Sequence, residues 1–163
     1  MMDDMKNQIE TWSLDREIVL AKLLNHPRDK VFAAWTDPEA LAKWYGPEGL
    51  DIETKEADIR EGGVWRFDMV GTFEGKPQRF ENHVRFLEII PNERIVMDYG
   101  TPDPNDPERF RMTVTFDEQS DGKTVVTLRQ LHPTRERRLA VIGFGAVEYG
   151  LQTLDGLAVW LDG

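Results

Sequence analysis

Between Leu50 and Leu131 the chain keeps the two-residue rhythm of β-strands, and no helical spacing breaks it. Val64-Trp65-Arg66-Phe67-Asp68-Met69 alternates, which puts Trp65, Phe67 and Met69 on one face. Gly62-Gly63 before it and Glu74-Gly75-Lys76-Pro77 after it have the composition of turns. A long strand runs on through Phe80, Val84 and Phe86, and Pro91-Asn92-Glu93 leads into Arg94-Ile95-Val96-Met97-Asp98-Tyr99. A Pro- and Asp-rich loop from Thr101 to Glu108 precedes Phe110-Arg111-Met112-Thr113-Val114-Thr115-Phe116. Ser120-Asp121-Gly122-Lys123 then turns a hairpin into Thr124-Val125-Val126-Thr127-Leu128. Connections this short leave no room for crossovers, so the strands form an antiparallel meander, and its apolar face needs a cover. Leu151, Leu154, Leu157, Ala158 and Leu161 supply one, recurring at the spacing of a helix face.

Upstream, Glu17-Ile18-Val19-Leu20-Ala21-Lys22-Leu23-Leu24 is a further strand, closed by Asn25-His26-Pro27. Pro27 opens a helix on which Val31, Ala34 and Trp35 recur at helical spacing. A second short helix starts at Thr36-Asp37-Pro38-Glu39. Asp37 can accept from the first-turn amides, Pro38 lacks the donor that position leaves idle, and Glu39 suits the positive end of the helix dipole. Gly46-Pro47 stops it after Trp44-Tyr45. The expected class is α+β: a strand, two short helices, a meander and a long closing helix. Residues 1–14 are polar and read as a loose N-terminal arm, leaving 15–163 as a single domain. Glycines 143 and 145 leave residues 134–147 open between helix and mobile lid.

Composition removes whole classes of chemistry. With 0 Cys the chain has no disulfide, thiolate metal site or cysteine nucleophile, and it suits a reducing cytoplasm. A formal charge of −10 repels nucleic acid and anionic membrane alike. The start has no basic region followed by an apolar run, so no secretory signal is expected, and nowhere is there an apolar run of bilayer-spanning length. Ser13 and Ser120 are the only serines, and neither sits in a nucleophile elbow. His26, His83 and His132 are dispersed and read as turn or surface residues rather than metal ligands. Asp103-Pro104-Asn105-Asp106-Pro107-Glu108 lacks the spacing of an EF-hand loop. Gly71-Thr72-Phe73-Glu74-Gly75-Lys76 continues into Pro77 between two strands, where a phosphate loop needs Ser or Thr and a helix. Gly143-Phe144-Gly145 follows no strand and fails the dinucleotide fingerprint. No cofactor or metal is expected.

Four segments, in order, resemble one family. They are Val31-Phe32-Ala33-Ala34-Trp35 with Thr36-Asp37-Pro38-Glu39-Ala40-Leu41-Ala42-Lys43-Trp44, then Arg60-Glu61-Gly62-Gly63-Val64-Trp65-Arg66-Phe67, then Phe86-Leu87-Glu88-Ile89-Ile90-Pro91-Asn92-Glu93-Arg94-Ile95-Val96, and last Gly150-Leu151-Gln152-Thr153-Leu154-Asp155-Gly156-Leu157. The chain resembles the activator of heat-shock-protein-90 ATPase homologues within the START-like (SRPBCC) superfamily. That resemblance implies a helix-grip fold, a curved antiparallel sheet wrapped around a long C-terminal helix, often with a cavity between them. It implies no particular reaction. The ATPase-activating role belongs to longer relatives with an additional N-terminal domain and is not expected here. Leu151 stands where the family often has Trp, a change that alters any cavity beneath the helix.

Three functions fit this reading. The first is a small-molecule binding domain, its cavity lined by Trp44, Trp65, Phe67, Met69, Phe86, Met97, Tyr99, Phe110, Met112, Leu151 and Leu154 and holding a small hydrophobic or aromatic molecule. Trp44 and Tyr45 form an aromatic gate in it, and Arg111 and Tyr99 are candidates to bind a carboxylate or carbonyl. The second is a cyclase, hydrolase or dehydratase using Glu81 and His83, which share a strand face, as base and acid. The third is a co-chaperone or stress-response module binding a chaperone partner, or a homodimer.

Overall fold

Alternation in the sequence becomes a sheet in the computed structural model, which describes residues 15–163. The expected N-terminal arm lies outside those residues. The strands are β1 (Glu17–Leu24), β2 (Leu50–Ala57), β3 (Val64–Phe73), β4 (Lys76–Ile90), β5 (Arg94–Gly100), β6 (Phe110–Glu118) and β7 (Thr124–Leu131). All pair antiparallel, in the order β1-β7-β6-β5-β4-β3-β2. β2 to β7 follow one another as the expected meander, and β1 adds to its far end beside β7. A single 3-10 turn, Ser120–Gly122, makes the last hairpin, with Asp121 and Gly122 at φ 64° and 71°.

Inward residues form stripes across the sheet: Ile18, Leu20 and Leu24 on β1, Trp65 and Phe67 on β3, Val84 and Phe86 on β4. Ile95, Met97 and Tyr99 continue them on β5, and Met112, Val114 and Phe116 on β6. A register shift between Phe86 and Glu88 makes Leu87 an extra residue, exposed, and returns Ile89 to the inner side, opposite the buried Ile95. A second shift lies between Thr54 and Glu56 on β2. Bulges of this kind bend a strand and increase its twist, which curves the sheet.

Four helices are described: α1 (Arg28–Thr36), α2 (Pro38–Trp44), α3 (Arg135–Gly143) and α4 (Ala146–Asp162). Asp37 caps α2 as its sequence demands, accepting from the Glu39 amide at 3.0 Å with Pro38 in the first turn. Thr134 caps α3 through the Arg137 amide at 3.0 Å. The open stretch resolves as a helix followed by a break at Gly145, whose φ of 98° favours glycine. α4 turns Thr153, Leu154, Leu157 and Leu161 into the core. Gly150 and Gly156 let it approach closely: a Cβ at Gly150 would lie 2.4 Å from the Leu20 Cδ1, and one at Gly156 would lie 2.8 Å from the Trp44 carbonyl oxygen. Curved sheet, two short helices after the first strand and a C-terminal helix across the inner face make the expected helix-grip fold.

Candidate functional site: a recess between the sheet and the C-terminal helices

The period that buries Thr124, Val126 and Leu128 on β7 carries on to Gln130 and, just past the strand's end, to His132. The His132 amide donates to the Arg16 carbonyl at 2.9 Å, which prolongs the β1–β7 ladder by one step and holds the ring inside. On β6, Met112 sits opposite Gln130, and on β5, Tyr99 sits opposite Phe110. Phe110 stacks on Tyr99 at 5.1 Å and 19°, and lies 4.9 Å from the His132 ring on its other side. Met69 extends this floor from β3. Val141 of α3 roofs it, together with Ala146, Tyr149, Gly150 and Thr153 of α4, and Tyr45 and Pro47 close one flank. The space between has a volume of about 270 Å³.

Among the described residues, no Asp, Glu, Lys or Arg lines this recess. Its polar groups are nevertheless specific. Nε2 of His132 lies 3.1 Å from Oε1 of Gln130. An amide oxygen only accepts, so Nε2 carries the proton and Nδ1 is left as an acceptor. Nδ1 is buried and has no hydrogen-bond partner among the described residues. Burial, and then the positive charges of Arg137 and Arg138, pull the His132 pKa down to about 4, so the ring is neutral at neutral pH. The Tyr45 hydroxyl donates to that of Tyr99 at 3.4 Å, which leaves the Tyr99 proton for another acceptor. Burial pushes the Tyr45 pKa up to about 12 against the smaller opposing effect of that bond, and burial with the Tyr45 neighbour pushes Tyr99 well above the ordinary phenol value. Both tyrosines therefore stay protonated. The hydroxyl of Thr153 is already engaged with the Tyr149 carbonyl at 3.0 Å.

Of the residues expected to bind a ligand, Met69, Tyr99, Phe110 and Met112 come together in the recess lining. Trp65 and Phe67 stack on each other at 3.8 Å within the core, and Phe86, Met97 and Leu154 are core residues outside the lining. The Trp44 ring donates to the Ala34 carbonyl at 3.0 Å, tying α2 to α1. Trp44 borders a different hollow of about 400 Å³, between the loop after α2 and the outer turns of α4, while Tyr45 borders both. Of the two residues expected as a gate, only Tyr45 borders the recess. Leu151 needs correction: it is 43% exposed, because the buried side of α4 runs through Leu154, Leu157 and Leu161 and leaves Leu151 at its margin. Leu151 does not line the recess.

Glu81 and His83 lie on the opposite face of the sheet, since Val84 and Phe86 of the same strand point inward. Glu81 is exposed, and no hydrogen bond joins the two among the described residues. Arg111 is on that outer face as well, exposed and away from the recess. His132 is also corrected, from surface histidine to a residue only 2% exposed. Continuing the β7 alternation by two steps past Leu128 reveals both it and Gln130. Tyr149, Val141 and Thr153 carry no comparable signal, because their place depends on how α3 and α4 cross the sheet.

Among the described residues, no three His, Asp or Glu side chains come together as metal ligands, and no helix is long and apolar enough to cross a membrane. No curated protein matches the chain. Several solved structures share its fold. A crystal structure of a protein from Chromobacterium violaceum is 28% identical, covering 91% of this chain and 98% of that one, with a TM-score of 0.73. A protein from Nitrosomonas europaea is 24% identical over 91% and 95% of the two chains, with a TM-score of 0.79. The AHSA1 protein from Silicibacter pomeroyi is 22% identical over 90% and 97%, with a TM-score of 0.68. The model of the "Activator of Hsp90 ATPase homolog 1-like protein" family matches residues 25–162, nearly everything from the end of β1 through α4, and the chain belongs to that family.

Proposed function

We propose that this protein binds a small, uncharged, largely apolar molecule in the recess beneath α3 and α4, and that binding itself is its activity. The observation that carries this reading is the buried, neutral His132, its Nδ1 acceptor unpartnered, on the wall of a recess with no charged side chain. A buried acceptor without a partner costs about 1–3 kcal/mol, which a ligand donor would recover. Tyr99 offers the complementary donor. The ligand class is thus a compact molecule with one hydrogen-bond donor and one acceptor on an aromatic or aliphatic body, such as a hydroxylated aromatic carbonyl compound.

Size narrows the class further. About 270 Å³ lies just below the range of about 300–1,000 Å³ for small-molecule sites, so the recess suits a small metabolite-sized guest and not a long acyl chain. Acid–base catalysis by Glu81 and His83 finds no support in this geometry, since both are across the sheet from the recess. A chain without cysteine also suits a cytoplasmic carrier or sensor.

Native mass spectrometry of protein purified from its host, with thermal-shift screening of neutral hydroxy-carbonyl aromatics, tests the proposal. The expected result is a bound mass, or a rise in Tm of several degrees, that disappears in His132→Phe and in the recess-filling Ala146→Phe. A wild-type protein that shows neither bound mass nor shift across the panel overturns it.

A further inference from the structure

The outer face of the sheet carries an arrangement that neither the core nor the recess uses. Arg85 on β4, Asp98 on β5 and Arg111 on β6 are direct cross-strand neighbours, with the carboxylate in the middle. Asp98, however, is held by a third arginine: Nε of Arg109 donates to its Oδ2 at 3.0 Å. Arg109 is further fixed by the Thr101 carbonyl at 2.7 Å and the His83 carbonyl at 3.3 Å. Arg85 and Arg111 make no hydrogen bond or ion pair among the described residues. Two adjoining hollows, of about 230 and 460 Å³, share Arg85, Asp98 and Arg109, and Arg16 also borders the larger one. Among the described residues, Asp98 is the one carboxylate lining these hollows, against the guanidinium groups of Arg85, Arg109 and Arg111, on a chain with 30 acidic and 20 basic residues.

We propose that this outer-face cleft binds a small phosphate-bearing anion. Arginine is suited to the task because its planar fork matches phosphate geometry, and a phosphate group has enough acceptor oxygens to take forks from several strands at once. A monocarboxylate, with two oxygens, can engage only one fork fully. Arg109, anchored on three sides, fixes the centre of the cleft, and Arg85 and Arg111 supply the arms that close on the ligand. His83 borders the smaller hollow and senses the local field. Burial first, then Arg109, Arg66 and Arg85, lower its pKa against a weaker opposing effect of Asp98. Its arginine arms stand on the outer face, although the larger hollow reaches round the sheet's end to Phe110 and His132 and so adjoins the recess; the proposal rests on the arginines and needs no ligand in the recess.

Calorimetric titration of the full chain with pyrophosphate, at physiological ionic strength, is the direct test. Saturable binding is expected, weakened at least tenfold in the double variant Arg85→Gln/Arg111→Gln. Acetate should not bind, and a double variant on α1, Arg28→Gln/Lys30→Gln, should bind pyrophosphate as wild type does. NMR of the His83 ring should show its pKa rising on saturation, because a bound anion offsets Arg66, Arg85 and Arg109. Absence of saturable heat, or equal weakening in both double variants, overturns the proposal. The first result means there is no site, and the second means only a response to net charge.

Discussion

Asp68 shows how a single residue sets the electrostatics of the outer face. Its side chain is 2% exposed, with Arg79 at 2.6 Å and Lys55 at 3.2 Å. Burial alone would raise its pKa, but hydrogen bonds from Arg79 and Lys55 outweigh that and hold it below the usual carboxylate value. A depressed carboxylate stabilises the fold above its unfolded pKa of about 3.9, and that contribution fades as pH falls through the folded value. Asp68→Asn should therefore cost roughly 1–3 kcal/mol at neutral pH, since both cations are half-exposed and can be hydrated once released. Urea unfolding from pH 6 down to pH 2 should also show the two proteins converging at the acid end. His132 has the opposite charge type but the same sign of pH dependence. The folded ring resists protonation down to about pH 4, whereas an unfolded histidine takes up its proton at about pH 6.5. The unfolded state thus binds more protons between those values, and wild-type stability falls as pH drops through that window. His132→Phe should lack this part of the decline, and matched denaturation series at pH 7 and pH 4.5 would show the difference.

At the scale of elements, α4 packs closely because two of its residues have no side chain. Both Gly150→Ala and Gly156→Ala gain up to about 1 kcal/mol of helix propensity, but the new methyl groups meet different neighbours. At Gly150 the obstacle is a terminal methyl of Leu20, which can turn aside, so that variant should unfold within about 1 kcal/mol of wild type. At Gly156 it is the backbone oxygen of Trp44 at the end of α2, which cannot move without shifting that helix, so a loss of about 1–3 kcal/mol is expected. Thermal unfolding of the two variants side by side checks the order, and a Gly150→Ala that is the worse of the two would contradict this packing. The same contrast marks what was legible in the sequence. Alternation places Trp65, Phe67 and Met69 on one face, and the Asp37-Pro38 signal marks the start of α2, because those features depend on neighbours a few residues away. Leu151 and His132 were misread because their exposure depends on long-range placement. One is decided by the rotation of α4 over β1, the other by a ladder bond from His132 to Arg16, 116 residues earlier in the chain.

For the molecule as a whole, stability and access to the recess should be divided between unequal parts. The sheet is continuous from β1 to β2, and α4 buries four side chains against it. α3 buries none fully, yet its Val141 helps roof the recess, and the break at Gly145 separates it from α4. An element with few buried apolar groups opens locally at a free energy well below that of global unfolding. Hydrogen exchange read by mass spectrometry should therefore find the amides of residues 135–143 exchanging far sooner than those of β5, β6 and β7, or of the Leu154–Leu161 part of α4. A guest in the recess touches Val141 and so favours the closed arrangement of α3, and ligand binding can shift such an equilibrium only through this kind of differential contact. Adding a compound that raises Tm should slow exchange in residues 135–143 more than in β1 or β2. If α3 exchanges as slowly as β6 in the free protein, it is a fixed part of the wall, and a guest must enter past Tyr45 and Pro47 instead.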